Sequence, residues 1–393
     1  MRVLILGGDG YLGWPTAMHF SARGDDVAVV DNFAKRRWEL EQGIEPLIFL
    51  PNLHKRISLW REIKKKTIRL DVGDLCNHRF IYNVLEDFKP DTIIHFGEQP
   101  SAPYSMQSRG NAVFTQQNNV IGNLNLLFGM QHACPDAHLI KLGTMGSYGT
   151  PNIDIEEGWL EIEHNGRQDR MIYPKRPGSF YHLSKVHDSA NIEFACRIWN
   201  MRATDLNQGV VYGIETNETV IDPKLGTSFH YDDVFGTVLN RFLVQAAVGV
   251  PLTVYGSGGQ IRGFLNIRDT INCVALACDK PAEQGEFRVL NQFTEQFSIN
   301  NLADKVIAAG RRAGLSVEIT HLENPRVEME AHYYNAKNTN LFDLGLQANL
   351  LTDDVVDNML ETVRANSDNV DKKVFTPRTV SYTHLTLPTK RIV

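Results

Sequence analysis

Val3-Leu4-Ile5-Leu6-Gly7-Gly8-Asp9-Gly10-Tyr11-Leu12-Gly13 decides the fold. Four apolar residues read as a buried strand, and the glycines that follow match both G-x-G-x-x-G and G-x-x-G-x-x-G. Trp14–Arg23 then reads as a helix. Strand, glycine turn and helix in that order make a dinucleotide site: the backbone comes close to a pyrophosphate, whose charge sits at the helix N-terminus. A tight turn with a capping Asp9 is the plainer reading of the same residues. Asp31 favours the site, because it ends the next strand 18 residues beyond Gly13, where an acid grips the adenosine ribose. An acid there repels a 2′-phosphate and selects NAD over NADP, while Arg36 and Arg37 pull the other way.

Working outward, apolar strands alternate with helical stretches. Val27–Val30, Ile68–Asp71, Thr92–Phe96, His138–Leu142 and Ala203–Leu206 read as strands, with helices such as Arg79–Phe88 between them. This alternation predicts an α/β fold, a doubly wound parallel sheet of the Rossmann kind. Residues 1–205 are expected to form this domain. Residues 206–380 would form a smaller substrate domain, with part of 235–275 returning to the sheet. Asn207–Asp233 reads as loops, Phe235–Val248 and Asn301–Arg312 as helices, and Gly256-Ser257-Gly258-Gly259 as a turn. Ser381–Val393 lacks periodicity and reads as a disordered or appended tail.

The chain's 393 residues are 42% hydrophobic and 22% charged, ordinary globular composition. A net charge of -6 argues against a general nucleic-acid binder. Five scattered cysteines, without C-x-x-C or zinc spacing, suggest no metal and fit a reducing cytoplasmic setting. The first strand starts too early to leave room for a targeting peptide, and no apolar run has the length of a membrane span.

Tyr181 and Lys185 stand one helical turn apart in Ser179-Phe180-Tyr181-His182-Leu183-Ser184-Lys185. A free tyrosine, with a pKa near ~10, is a poor base at neutral pH. An adjacent ammonium and an oxidised nicotinamide both favour the phenolate. Y-x-x-x-K alone is a common coincidence. Thr144, ending the strand in Lys141-Leu142-Gly143-Thr144, falls at the sheet's carboxyl edge, where it can hold the alcohol that Tyr181 deprotonates. Gly7, Gly10, Tyr11, Leu12, Gly13, Asp31, Asn32 and Arg36 are the expected cofactor contacts. Asp74-Leu75 is placed to meet the adenine, or Asp74 caps a helix. Asn118 either joins the site or holds structure.

These motifs resemble the extended short-chain dehydrogenases/reductases. Longer runs are similar to the UDP-sulfoquinovose synthase family: Gly7–Trp14, His95–Gln99, Ser101–Met106, Lys141–Gly146, Tyr148–Glu157, Ser179–Asp188, Arg202–Gly213, Asn291–Phe297, Asn324–Glu328 and His332–Lys337. The likeness spans about residues 1–375. It implies an enzyme of sulfolipid biosynthesis, with tightly held NAD, that joins UDP-glucose and sulfite or another sulfur donor. By that resemblance Tyr181 takes the glucose 4-hydroxyl proton, and His182 is an acid/base or sulfite contact, or else a helix-surface histidine. Asn207, Gln208, Gln260, Arg262 and Arg326 are expected on the UDP moiety, although the two arginines also suit structural ion pairs. A homodimer through a two-helix face is expected by the same analogy. Two positions depart from the family: Pro100 replaces an Arg, removing a cation, and Ser147 replaces a Glu, removing an acid/base. A UDP-hexose 4-epimerase sharing the C4 oxidation is the alternative these departures leave open.

Overall fold

The computed structural model describes residues 1–323 and 333–375. Its first half builds β1 (Arg2–Leu6), α1 (Gly13–Arg23), β2 (Asp26–Asp31), β3 (Ile68–Val72), β4 (Thr92–His95) and β5 (His138–Leu142). With Arg202–Gln208 and Phe287–Gln292 these strands form one sheet. Its order is Phe287–Gln292, Arg202–Gln208, β5, β4, β1, β2, β3. Every neighbouring pair is parallel. The chain therefore reverses its direction of travel between β1 and β4, the crevice in which such sheets bind ligands.

Strand alternation explains why both faces are buried. Val3 and Ile5 pack with Trp14, Met18, Phe20 and Val274 on one face. Leu4 and Leu6 pack with Leu85, Leu126 and Ile192 on the other. The later residues build a second core from helices Val238–Ala247, Ile299–Arg312 and Asp353–Ala365 against the strands Leu252–Tyr255 and Ile261–Asn266.

The sheet's last strand is Phe287–Gln292, while helix Ile267–Asp279, which begins within the 235–275 stretch, packs on the sheet through Cys273 and Val274. Asn207–Asp233 is not all loop: Val210–Tyr212 pairs with Ile261–Asn266. An exposed hairpin, Trp159–His164 with Arg167–Ile172, was absent from the sequence reading. Ser381–Val393 lies outside the described residues. Among the described residues no helix is long and apolar enough to cross a membrane.

At Gly13 the turn and α1 meet so closely that a methyl group would run into the Gly7 carbonyl oxygen. Gly13→Ala is expected to cost on the order of 2 kcal/mol, as overpacking does, and to lower dinucleotide retention. Urea unfolding and the absorbance of the purified protein check this; an unchanged midpoint with full retention contradicts the packing argument.

Candidate active site

The carboxyl ends of β1, β4, β5 and Arg202–Gln208 open into a cleft of about 1630 Å³. Its far wall is supplied by later residues, including Arg241, Gln260 and Arg262.

The glycine turn enters the cleft with Gly7, Gly10, Tyr11, Leu12 and Gly13. No side chain caps the first turn of α1, so its amides suit an anion. With the close approach at Gly13, this cradle fits a dinucleotide pyrophosphate. The Tyr11 hydroxyl donates to the Gly213 carbonyl at 2.5 Å. Asp31 accepts from the Asp9 and Phe33 amides, each at 2.7 Å, which fixes its carboxylate at the cleft edge. Burial pushes that carboxyl up, against the pull of the two amides.

Arg36 lines the cleft but is committed to Asp9, its Nε donating at 2.6 Å. Asp9 also pairs with the buried Arg56. This acid, which sequence reading treated only as a possible cap, thus neutralises two arginines beside the expected adenosine ribose. Asn32 donates to Asp74 at 2.9 Å, and Asp74 accepts from the Cys76 amide at 2.8 Å. Asp74 is therefore a turn cap that also faces the cleft, as do Asn32 and Leu75. A wide π-turn at Gln117–Ile121 holds two asparagines. Asn118 reaches the cleft, and Asn119 is buried, accepting from the Gln99 amide at 2.8 Å and donating to Ser184 at 2.9 Å.

Ser179 caps helix Phe180–Trp199, which carries Tyr181, His182 and Lys185. Thr144 caps the short turn after β5. Its hydroxyl lies close enough to the Tyr181 phenol to favour the phenolate, so the two side chains converge on one point. The His182 ring, with Nδ1 3.0 Å from the Ser179 hydroxyl, occupies the space where a side chain at Gly146 would project. Thr144, Tyr181 and His182 line the cleft, whereas Lys185 is buried behind it.

The electrostatics differ from the expected picture. Burial raises the Tyr181 phenol, and Glu98 adds to that; Lys141 and the Thr144 hydroxyl work against it. Lys185 stands 5.7 Å from the Tyr181 ring centroid. Its ammonium donates to the Leu142 carbonyl at 2.7 Å and pairs with Glu98. Glu98 also meets Lys141 at 2.5 Å, and Lys141 meets Asp188 at 3.4 Å. Burial works against the charge on Glu98, yet Lys141 and Lys185 hold it below the usual carboxylate range. Burial and Glu98 together raise Asp188. His95 is pushed down to about 3 by burial, so it is neutral. None of these partners of Lys185 was singled out from the sequence. The available signal was a Lys and a Glu beside the ends of two apolar strands.

Of the expected UDP contacts, Gln208, Gln260 and Arg262 line the cleft. Asn207 does not: it is fully buried and donates to the Tyr148 hydroxyl at 2.9 Å, which in turn donates to Asn291. Alternation along the strand sends Asn207 to the face away from the opening and Gln208 towards it. Arg326 lies outside the described residues. Pro100 lines the cleft, whereas Ser147 is buried behind it, its hydroxyl without a hydrogen-bond partner among the described residues.

Residues 3–291 match the model of the NAD dependent epimerase/dehydratase family, and the chain belongs to that family. It is 56% identical to the chloroplastic UDP-sulfoquinovose synthase of Spinacia oleracea over 96% of this chain and 78% of that protein. It is 43% identical to the UDP-sulfoquinovose synthase of Sulfolobus acidocaldarius over 88% of each. Within its class, then, it is a member of the UDP-sulfoquinovose synthase family. Among solved structures, UDP-glucose 4-epimerase from Thermotoga maritima, crystallised with UDP-glucose, superposes with a TM-score of 0.67 at 17% identity, covering 93% of this chain and 99% of its own. The Bifidobacterium longum enzyme, crystallised with NAD+ and UDP, gives 0.68 at 19% identity, covering 93% and 100%. At those identities the likeness is one of fold.

Asp9→Ala would leave Arg56 buried without its carboxylate. Removing one partner of a buried pair costs about 3 kcal/mol or more, measurable as a lower urea midpoint. A loss below ~1 kcal/mol would show that the pair carries little of the turn's order.

Proposed function

We propose that this chain converts UDP-glucose and sulfite into UDP-sulfoquinovose, with NAD as its cofactor. The observation that carries the reading is 56% identity to a UDP-sulfoquinovose synthase across nearly the whole chain. The arrangement of Thr144, Tyr181 and Lys185 at the mouth of the sheet supports the same chemistry. The epimerase alternative has only the weaker, fold-level likeness behind it.

NAD, when bound, supplies a hydride acceptor and later a hydride donor at sugar C4, so the net reaction is redox-neutral. The glycine turn and the first amides of α1 hold its pyrophosphate, and Asp31 its adenosine ribose. Tyr181 receives the proton of the 4-hydroxyl, which Thr144 orients by hydrogen bonding. A carbonyl at C4 acidifies C5, so a proton leaves C5 and hydroxide leaves C6 with a second proton, as water. The sulfite sulfur then adds its lone pair to C6 and a proton returns to C5. His182 is the side chain in this part of the cleft suited to move those protons, since imidazole changes charge near neutrality. Gln208, Gln260 and Arg262 face the side of the cleft where the UDP moiety would lie. With Pro100 in place of a cation, Arg176, which lines the same cleft, is the guanidinium nearest His182 in sequence.

The protein acts as a homodimer in this reading. Met106, Ala112, Val113, Ile121 and Phe180 line an apolar hollow on the outer side of the Tyr181 helix. Val113, Ile121 and Phe180 are exposed, and Phe128 and Phe194 extend the same pair of helices. A contiguous apolar face of this kind suits a second copy of the chain. Val113→Glu is expected to shift the protein to monomer in sedimentation velocity; an unchanged sedimentation coefficient would remove this face from the assembly.

Incubation with UDP-glucose and sulfite should give a product in which one hydroxyl is replaced by sulfonate, seen by mass spectrometry. UDP-galactose as the sole product would point to the epimerase. Tyr181→Phe should lower conversion by at least ~10³-fold, within the range for loss of a catalytic base, while NAD stays bound. Persistent conversion would refute Tyr181 as the base.

A further inference from the structure

Six ionisable side chains are buried on and beneath the catalytic helix, and the reaction as described uses only one of them. Glu98, Asp188 and Asp205 are the acids; Lys141, Lys175 and Lys185 are the bases. Each side chain is at most 5% exposed. Three carboxyl groups face three amino groups here, with Asp188 pushed towards its neutral form by burial and Glu98. Leaving water is costly for every one of them, so the arrangement persists only because the partners are close.

The group has two layers. In the deeper one, Lys175 lies 3.8 Å from Asp205 and donates to Ser189 at 3.0 Å, while Ser189 donates to Asp205 at 2.6 Å. In the upper one, Glu98 touches both Lys141 and Lys185. Facing Lys185 are Tyr181 and Asp188 from its own helix, Glu98 and His95 from β4 and the residues after it, and Lys141 from β5. Glu98 is the only one of these five in direct ion contact with the Lys185 ammonium among the described residues. Its carboxylate meets two ammonium groups, those of Lys141 and Lys185, with the His95 ring 3.5 Å away.

We propose that Glu98 is a positioning residue for the reaction: with Lys141 as its second counter-ion, it anchors the Lys185 ammonium beneath the Tyr181 phenol. This rests on the reading of Tyr181 and Lys185 as the acting pair. Burial by itself drives the lysine proton off. Glu98 opposes this, and the Lys141 charge reinforces it. The two residues therefore act on Lys185 with opposite sign. Loss of the Lys185 proton removes the cation beside the phenol, so turnover falls on the alkaline side of its pH profile.

The test is the pH dependence of kcat for UDP-glucose conversion by the NAD-loaded enzyme. Glu98→Gln should lower kcat at least tenfold with KM for UDP-glucose within twofold, and should move the alkaline limb down by one pH unit or more. Lys141→Gln should move the same limb up. A merely structural role would lower the melting temperature in both variants and leave the limbs where they are. Limbs that stay fixed, or that move in the same direction, overturn the proposal. If Glu98→Gln does not fold, Lys141→Gln decides alone: an upward limb supports the anchor, and a fixed or lowered one rejects it. Failure of the underlying reading is separable, because it appears as turnover that survives Tyr181→Phe.

Discussion

Parallel pairing of β1 with both β2 and β4 is the constraint on which the rest of the molecule depends. Because every strand in the sheet runs the same way, every strand end that carries chemistry opens on one edge. The glycine turn after β1, Asp31 after β2, Glu98 after β4, Thr144 after β5 and Gln208 on Arg202–Gln208 come from distant parts of the sequence. They are neighbours only through the sheet. Helix Phe180–Trp199 lies against that edge with Tyr181 in its first turn, where Ser179 caps it and the Ser105 hydroxyl accepts the Tyr181 amide at 3.0 Å.

Placing this chemistry at a buried edge has an electrostatic consequence. The base must sit in a site dry enough to strengthen its interactions, yet burial raises its own phenol. The lysine beside it faces the converse problem. Glu98 offsets the second effect while adding to the first, and the apolar sheet supplies the rigid frame that keeps the charges close. A lone ammonium in the same place would lose its proton.

Much of the frame was legible in the sequence because it depends on local pattern. The strands at Val3, Val27, Ile68, Thr92, His138 and Ala203, the glycine turn and the Tyr181–Lys185 spacing all follow from short-range periodicity and turn chemistry. What escaped depends on facing or on tertiary partners. Asn207 and Gln208 are adjacent, and no pattern in one strand says which of them turns to the cleft. Asn118 and Asn119 both sit in a π-turn, which residue spacing does not announce. Arg36 reads as a free cation until Asp9 is seen to hold it. The hairpin at Trp159–Ile172 did leave a signal, Asn165-Gly166, and both residues adopt positive φ there (51° and 73°), as a tight hairpin turn requires. Its strands carry mostly exposed polar residues, so the alternation that marks a buried strand is missing.

The raised phenol also bears on how the reaction is controlled. A buried tyrosine that ionised readily would be a base towards any alcohol or water reaching the cleft. Tyr181 resists ionisation because burial and Glu98 both oppose it. In the reaction proposed above, oxidised nicotinamide held beside Lys185 would supply the positive charge that tips this balance. Proton removal by Tyr181 would then be tied to the oxidised state of the cofactor. With the cofactor reduced, the phenol would keep its proton for the C4 oxygen. Tyr181 would thus act as base at the start of the cycle and as acid at its end, with the buried charges setting how sharply it changes.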